Sequence, residues 1–116
     1  MAFSVTQRVI SSEDMIYSYC DDFCRKAKLL YNAAFFRIRN IFTGYEKEHR
    51  TDNEEDIFCE VHALQDVHPQ IHVRKVISYN HLEKLMRVTE NPDFFIGLPM
   101  QTAQAMVKQA VTDFKN

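Results

Sequence analysis

The chain has 116 residues, of which 46% are hydrophobic and 26% charged, and its net charge at pH 7 is −2. These values are ordinary for a globular protein of one domain with a modest core. No apolar run approaches the ~18 residues of a membrane span, and no secretory signal is visible, so we expect no membrane contact. Three cysteines, Cys20, Cys24 and Cys59, favour reduced thiols in a cytoplasmic protein over a disulfide framework.

The first residues of the chain differ in pattern from the rest. Residues 3–10 (FSVTQRVI) contain β-branched side chains in partial alternation, which predicts a short strand or an extended arm within residues 1–11. A single strand cannot pair its own edges, so a strand here would need partners from elsewhere. An unpaired strand at one end and a last helix without a C-cap signal at the other together predict that the chain is part of a longer domain.

Residues 12–43 are predicted to form one long amphipathic helix that ends at Gly44, interpreted as the left-handed residue that commonly closes a helix. Apolar side chains recur at steps of three and four, which predicts one buried flank. The members of this stripe are Ile16, Tyr19, Cys20, Phe23, Ala27, Leu30, Tyr31, Ala34, Phe35, Ile38 and Phe42. Cys20 and Cys24, one turn apart on it, are therefore expected in the core.

Three further helices are predicted, over about residues 52–68, 78–91 and 99–116. The third helix is predicted to begin at Ser78 or Asn80, and Asn80 and Glu83 have the spacing of a capping box. The stretch 69–77 fits either a short strand or an extended connector. The expected fold is mainly α: a single domain over residues 1–116, with residues 12–116 as a four-helix bundle organised on the long N-terminal helix.

Charge is segregated along the chain. Residues 23–45 contain five bases and no acid, whereas residues 46–66 contain eight acids and two bases. Helical periodicity places four polar residues on one face of the long helix, and Lys26 and Arg37 flank it. The four are Arg25, Lys28, Asn32 and Arg39. A row of cations on a rigid rod suits successive phosphates of a nucleic acid. The alternative is an ordinary solvated face; the absence of acids favours binding.

A second cluster lies before and at the start of the third helix, where Arg74 and Lys75 precede Tyr79, Asn80 and His81. Aromatic and basic groups at a helix start can stack on a base or hold a phosphate. The alternative, which the residues alone favour, is a helix cap beside a core tyrosine.

Motifs for catalysis or metal binding are weak. Cys59, His62, His68 and His72 only loosely mimic zinc-ligand spacing, so surface histidines are the preferred interpretation. No nucleophile elbow, phosphate loop or metalloprotease motif occurs. We therefore expect no enzyme activity, no cofactor, no metal and no small-molecule substrate.

Two segments resemble a known family. KLLYNAAFFRIRNIF is similar to the first helix of the TnpB (OrfB) proteins of bacterial insertion sequences, whose signature is close to LYNAANYxIRQ. SYNHLEKLMRVTENPDFFIGLPMQTAQAMVKQAVTDFKN resembles that family's later Tyr-x-x-Leu helix, Leu-Pro and Gln-rich helix. The resemblance covers nearly the whole chain in the same order.

This resemblance implies part of an RNA-guided DNA endonuclease that is related to type V CRISPR effectors. In that family the matching region is the first strand of a wedge β-barrel, followed by a helical recognition domain that grips the guide RNA–target DNA hybrid. By position, the family motifs correspond to Tyr31, Asn32, Arg37, Arg39, Tyr79, Gln101 and Gln104. The family's RuvC acids and zinc-ribbon cysteines lie beyond residue 116, so nuclease activity is not expected here.

Two functions are therefore predicted. The first is non-catalytic binding of guide RNA or an RNA–DNA hybrid through the cationic helix face, which should weaken with salt and be abolished by Arg37→Glu with Arg39→Glu. The second is a protein–protein function, in which a stand-alone fragment inhibits or regulates a TnpB-like or type V CRISPR effector, as an anti-CRISPR protein does. The acidic segment 46–66 would then imitate nucleic acid or meet a basic cleft.

Overall fold

The computed structural model describes residues 2–91 and 98–116, with side chains from residue 18 onward. These residues form four α-helices: α1 (Ala2–Gly44), α2 (Asp52–Val67), α3 (Tyr79–Val88) and α4 (Met100–Lys115). The mainly α fold and the four-helix bundle are confirmed. The strand or arm predicted for residues 3–10 is wrong, because α1 already begins at Ala2. A helix satisfies its backbone internally, whereas a strand here would lack a neighbour.

The helix directions follow from side-chain contacts at the helix ends. Leu98, just before α4, lies beside Phe23, and the ring of Phe114 at the other end of α4 contacts Phe35, so α4 runs parallel to α1. Gly44 is close to Glu54 while Arg37 contacts Glu60, and α2 therefore runs back along α1.

The core lies where the four helices and the connector 68–78 meet, and it contains apolar side chains from all of them. Its fully buried large members are Leu30, Ile38, Ile41, Leu64, Ile77, Leu82, Leu85, Met86 and Val107.

The stripe of α1 is buried only in its second half. Leu30, Ala34 and Ile38 are buried as predicted, whereas Phe42, at the end of the stripe, is 38% exposed. Tyr19 is 68% exposed, and Cys20 and Cys24 are exposed, so the prediction that these two thiols lie in the core is wrong. The reason is length: α1 has 43 residues and α4 has 16, so α1 extends beyond its partners.

Gly44 allows α2 to approach α1 closely and is not a left-handed cap. It is the last residue of α1, and no positive φ occurs there. A Cβ at this position would lie 3.0 Å from a ring carbon of Phe58 and 3.2 Å from Cβ of Glu54. The sequence-based interpretation of Gly44 is therefore wrong in mechanism, although the end of the helix is correct. Space for the α2 side chains, and not backbone freedom, requires glycine here.

The capping box also lies elsewhere than predicted. Thr51 caps α2, its hydroxyl accepts the amide hydrogen of Glu54, and the Glu54 carboxylate accepts the amide hydrogen of Thr51 at 2.9 Å. The cap of α3 is Ser78, which accepts from His81, so Asn80 and Glu83 form no box. The connector 68–78 contains no strand, so of the two structures predicted for residues 69–77 the extended connector is the one observed.

Glu90 ends α3 in a strained conformation and offers a stability test. Its φ is 52°, and the amide hydrogens of Glu90 and Asn91 bond to the carbonyls of Arg87 and Met86 at 3.1 and 3.0 Å. This is the Schellman arrangement, in which glycine is preferred. We expect Glu90→Gly to raise the free energy of unfolding by about 0.5 to 1 kcal/mol. In urea unfolding, Glu90→Ala should show no such gain, since it removes the charge but keeps the Cβ; equal gains would contradict this account.

Candidate functional site

Three of the polar residues predicted on α1 form one exposed face. Lys28, Asn32 and Arg39 are exposed and lie within about 40° of one another around the helix axis. Neither Lys28 nor Arg39 forms an ion pair with a carboxylate among the described side chains. These two cations are eleven positions apart, which corresponds to about 16 Å along the helix. Their charges are therefore available to an external anion.

Two exposed apolar side chains complete this surface. Leu29 is 39% exposed and Phe36 is 41% exposed, and Phe36 lies between Asn32 and Arg39 on successive turns. We call Lys28, Asn32, Phe36 and Arg39 the outer face of α1. Phe36 and Leu29 were not predicted as site residues. Both residues lie off the spacing of the apolar stripe, and this was the sequence signal that they are exposed. Exposed aromatic rings between cations can stack on unpaired bases.

Arg25 is on the same side of α1 but already has a partner. Its guanidinium lies 3.0 Å from the Asp22 carboxylate, and Lys26 contacts the other oxygen of Asp22 at 3.0 Å. The bonds from Lys26 and Arg25 hold the pKa of Asp22 below its usual value. Arg25 is 61% exposed, and pairs this exposed contribute little energy, so a stronger anion can displace Asp22.

Arg37 and Tyr31, two of the residues that resemble the TnpB signature, connect helices in this structure. Arg37 donates to the Glu60 carboxylate at 2.9 Å and to the carbonyl of Ala33 at 3.1 Å, and only 12% of its side chain is exposed. The Tyr31 hydroxyl donates to Asp113 at 2.6 Å, and this bond raises the pKa of Tyr31. Both groups hold α1 against a neighbouring helix, so neither is positioned as a free contact to nucleic acid.

Of the site residues predicted before and at the start of α3, one is exposed and two contact other parts of the protein. Arg74 is exposed, whereas Lys75 lies 3.6 Å from a Glu46 oxygen and 4.8 Å from the ring centre of Phe42. Tyr79 is partly buried against the core, and its pKa is raised to about 12 by burial and by its bond to Glu83. Tyr79 therefore packs partly against the core, as the alternative interpretation of a core tyrosine predicts.

The two predicted glutamines lie in the first two turns of α4. Gln101 is exposed in the first turn of α4. Gln104 is half-buried and donates to Glu83 at 3.4 Å, across the α3–α4 contact. The ten predicted site residues thus do not form one surface: Lys28, Asn32 and Arg39 come together, while Arg74 lines a separate pocket beside α3.

Acidic groups are concentrated on the outer side of α2. Asp52, Glu55, Asp56 and Asp66 are exposed on one side of this helix, and none forms an ion pair with another described side chain. The protein therefore carries a cationic surface on α1 and an anionic surface on α2.

Neither a metal site nor a membrane span occurs in the part of the chain that the structure describes. No three His, Cys, Asp or Glu side chains among the described residues lie close enough to hold a metal ion. No helix there combines the length and the apolar composition needed to cross a bilayer. A comparison of the chain with protein-family models, with curated proteins and with solved structures finds no match. The resemblance to TnpB proteins therefore rests on the sequence motifs alone.

Proposed function

We propose that this protein binds structured RNA or an RNA–DNA hybrid without cutting it, as the resemblance to the TnpB recognition domain implies. The observation that carries the proposal is the outer face of α1, where Lys28 and Arg39 have no carboxylate partner among the described side chains and flank Asn32 and exposed Phe36. Cations on a rigid helix contact phosphates, and an aromatic ring between them adds stacking on unpaired bases. A helix face of this kind recognises backbone and shape more than base sequence.

The binding energy must come from local charge, because the whole chain has a net charge of −2. Arg39 and Phe36 line a cleft with Thr51, Asn53 and Glu54 at the start of α2, whereas the exposed acids Asp56 and Asp66 lie further along that helix. With only a few phosphate contacts we expect moderate affinity and clear salt dependence. Each neutralised phosphate contributes about −0.7 to −0.9 to the slope of log K against log salt concentration.

The test measures RNA affinity after removal of these two cations. Fluorescence anisotropy with a labelled RNA hairpin and an RNA–DNA hybrid, at several salt concentrations, gives both affinity and salt slope. We expect Lys28→Ala and Arg39→Ala each to weaken binding and to reduce the magnitude of the slope by about 0.7 to 0.9, and their combination to do both additively.

Lys108→Ala is the matched control, because it removes one exposed cation from α4 outside the outer face of α1. It should leave both the affinity and the slope nearly unchanged. Equal losses from Lys108→Ala and Lys28→Ala would indicate diffuse charge attraction and overturn the assignment of the face. Absence of salt-sensitive binding by the unaltered protein would overturn the proposed function itself.

The exposed acids of α2 favour a second candidate, a protein partner with a basic cleft. Asp52, Asp56 and Asp66 present carboxylates that pair with no described side chain, on the side of the bundle that α1 does not cover. Under this alternative the protein docks on a TnpB-like or type V CRISPR effector and regulates it. A stoichiometric complex with such an effector that survives nuclease treatment, and is lost in Asp52→Asn with Asp56→Asn, would support the alternative.

A further inference from the structure

A pocket of about 600 Å³ lies between the connector 68–78, the first turn of α3 and the last turn of α4. Its polar side chains come from all three segments. Apart from the amide of Gln70, they are six: His72 and Arg74 from the connector, Ser78 at its end, His81 and Lys84 from α3, and Lys115 from α4. No carboxylate lines it among the described residues. We call these six residues the cationic pocket.

The cations of this pocket are not neutralised by the described part of the chain. Arg74, Lys84 and Lys115 are exposed, and none forms an ion pair with another described side chain. This contrasts with Lys47, Lys75 and Arg87, which lie within 4 Å of a Glu oxygen. Three like charges converging on one cavity repel one another, and a bound anion would relieve this repulsion.

The electrostatics at His81 agree with this geometry. Burial, together with the nearby charges of Lys84 and Arg74, lowers the pKa of the His81 imidazole below its usual value. His81 is half-buried, and the groups that face it are His72 and Arg74 from the connector, Lys84 from its own helix and Lys115 from α4. None of these groups is negative, so they disfavour protonation of the His81 imidazole.

We propose that the cationic pocket binds a phosphate group, and that in the working protein this phosphate belongs to a nucleotide of the bound strand. The guanidinium of Arg74 offers paired donors that match phosphate oxygens, and the two ammonium groups add charge. The volume is that of a small-ligand site, large enough for a nucleotide unit and not only for an ion. The identity of the strand rests on the proposed function, whereas phosphate recognition by the pocket does not.

The experiment monitors the imidazole resonances of the whole protein by NMR during titration with inorganic phosphate, and then with a nucleoside 5′-monophosphate. The chain has five histidines. His72 and His81 line the pocket, while His49 and His62 do not and serve as internal controls. We expect phosphate to shift the signals of His72 and His81 selectively and to raise the pKa of His81. Equal concentrations of chloride, or of the nucleoside without phosphate, should leave these signals unchanged.

Substitutions then locate the site. Arg74→Ala and Lys84→Ala should each weaken phosphate binding by about tenfold, the equivalent of one lost charge-assisted hydrogen bond. Lys108→Ala, which changes an exposed lysine outside the pocket, should have no effect. No selective shift of His72 and His81 at millimolar phosphate, or equal shifts at all histidines, would overturn the proposal.

The source of the phosphate is decided by competition with the RNA hairpin. Displacement of the nucleoside monophosphate by RNA, with loss of RNA affinity in Arg74→Ala, supports a strand phosphate. Phosphate binding without RNA competition would identify a free phosphorylated ligand, overturning the strand assignment while phosphate recognition stands. Salt-sensitive RNA binding that depends on Lys28 and Arg39 but shows no phosphate response at the pocket would leave the proposed function intact and overturn this inference.

Discussion

Replacing Arg37 by glutamate is expected to lower the free energy of unfolding by about 3 kcal/mol, a large part of the stability of a small domain. In the native protein its guanidinium lies 2.9 Å from the Glu60 carboxylate, and the two side chains are 12% and 22% exposed. The variant places two carboxylates against each other between α1 and α2 and removes the bond to the Ala33 carbonyl. Urea unfolding followed by circular dichroism measures the loss.

Arg39→Glu is the matched control, since it makes the same chemical change two residues later at an exposed position. It should change stability by no more than about 0.5 kcal/mol. Combining Arg37→Glu with Glu60→Arg should recover part of the loss, because the pair is restored with reversed polarity. Two results together would contradict this account: Arg37→Glu unfolds at the same urea concentration as Arg39→Glu, and Arg37→Glu loses RNA binding. Arg37 would then be a nucleic-acid contact, and its pair with Glu60 would not contribute to stability.

Glu54→Gln should destabilise the protein strongly at neutral pH and much less in acid. Only 2% of Glu54 is exposed, and its carboxylate accepts hydrogen bonds from the hydroxyl of Thr43, from the amide of Thr51 and from the ammonium of Lys47. These bonds, with that from Thr43 the strongest influence, lower the pKa of Glu54 to about 2 from an ordinary 4.5. The charged form is therefore the form that the fold prefers.

The sign of the pH dependence is set by this shift. A carboxyl group with a lowered pKa in the folded state contributes stability above its unfolded pKa and loses that contribution as pH falls through the folded value. The difference in unfolding midpoint between Glu54→Gln and the unaltered protein should be greatest above pH 4.5 and should shrink as the pH falls towards 2.

Urea unfolding at several pH values tests this expectation, with Glu55→Gln as the control. Glu55 is the next residue, is exposed, and has no partner among the described side chains, so its substitution should have little effect at any pH. A Glu54→Gln deficit that stays constant from pH 7 to strongly acidic conditions would show that the lost contribution is packing and not the charge of the carboxylate.

The amino-acid sequence by itself determined the helices and most of their ends. The spacing of Leu30, Ala34 and Ile38 predicts the buried side of α1, and His68-Pro69 and Pro99 mark the end of α2 and the start of α4, as observed. These features depend on the 3.6-residue period and on local backbone chemistry, which a short window of sequence contains. The N-terminal prediction failed because alternation over eight residues cannot distinguish a strand from the continuation of a helix.

Only the tertiary structure decided which side chains are available to a partner. Arg37 and Arg39 are both arginines on α1, two positions apart. Packing nevertheless places Arg37 beside Glu60, 23 positions away, and leaves Arg39 exposed. Arg74, Lys84 and Lys115 meet at one pocket although up to 31 residues separate neighbouring members in the chain. Such pairings depend on how helices pack against one another, which local periodicity does not contain. For the same physical reason, Tyr19 and Cys20 belong to the apolar stripe and yet remain exposed: the shorter helices end before they reach them.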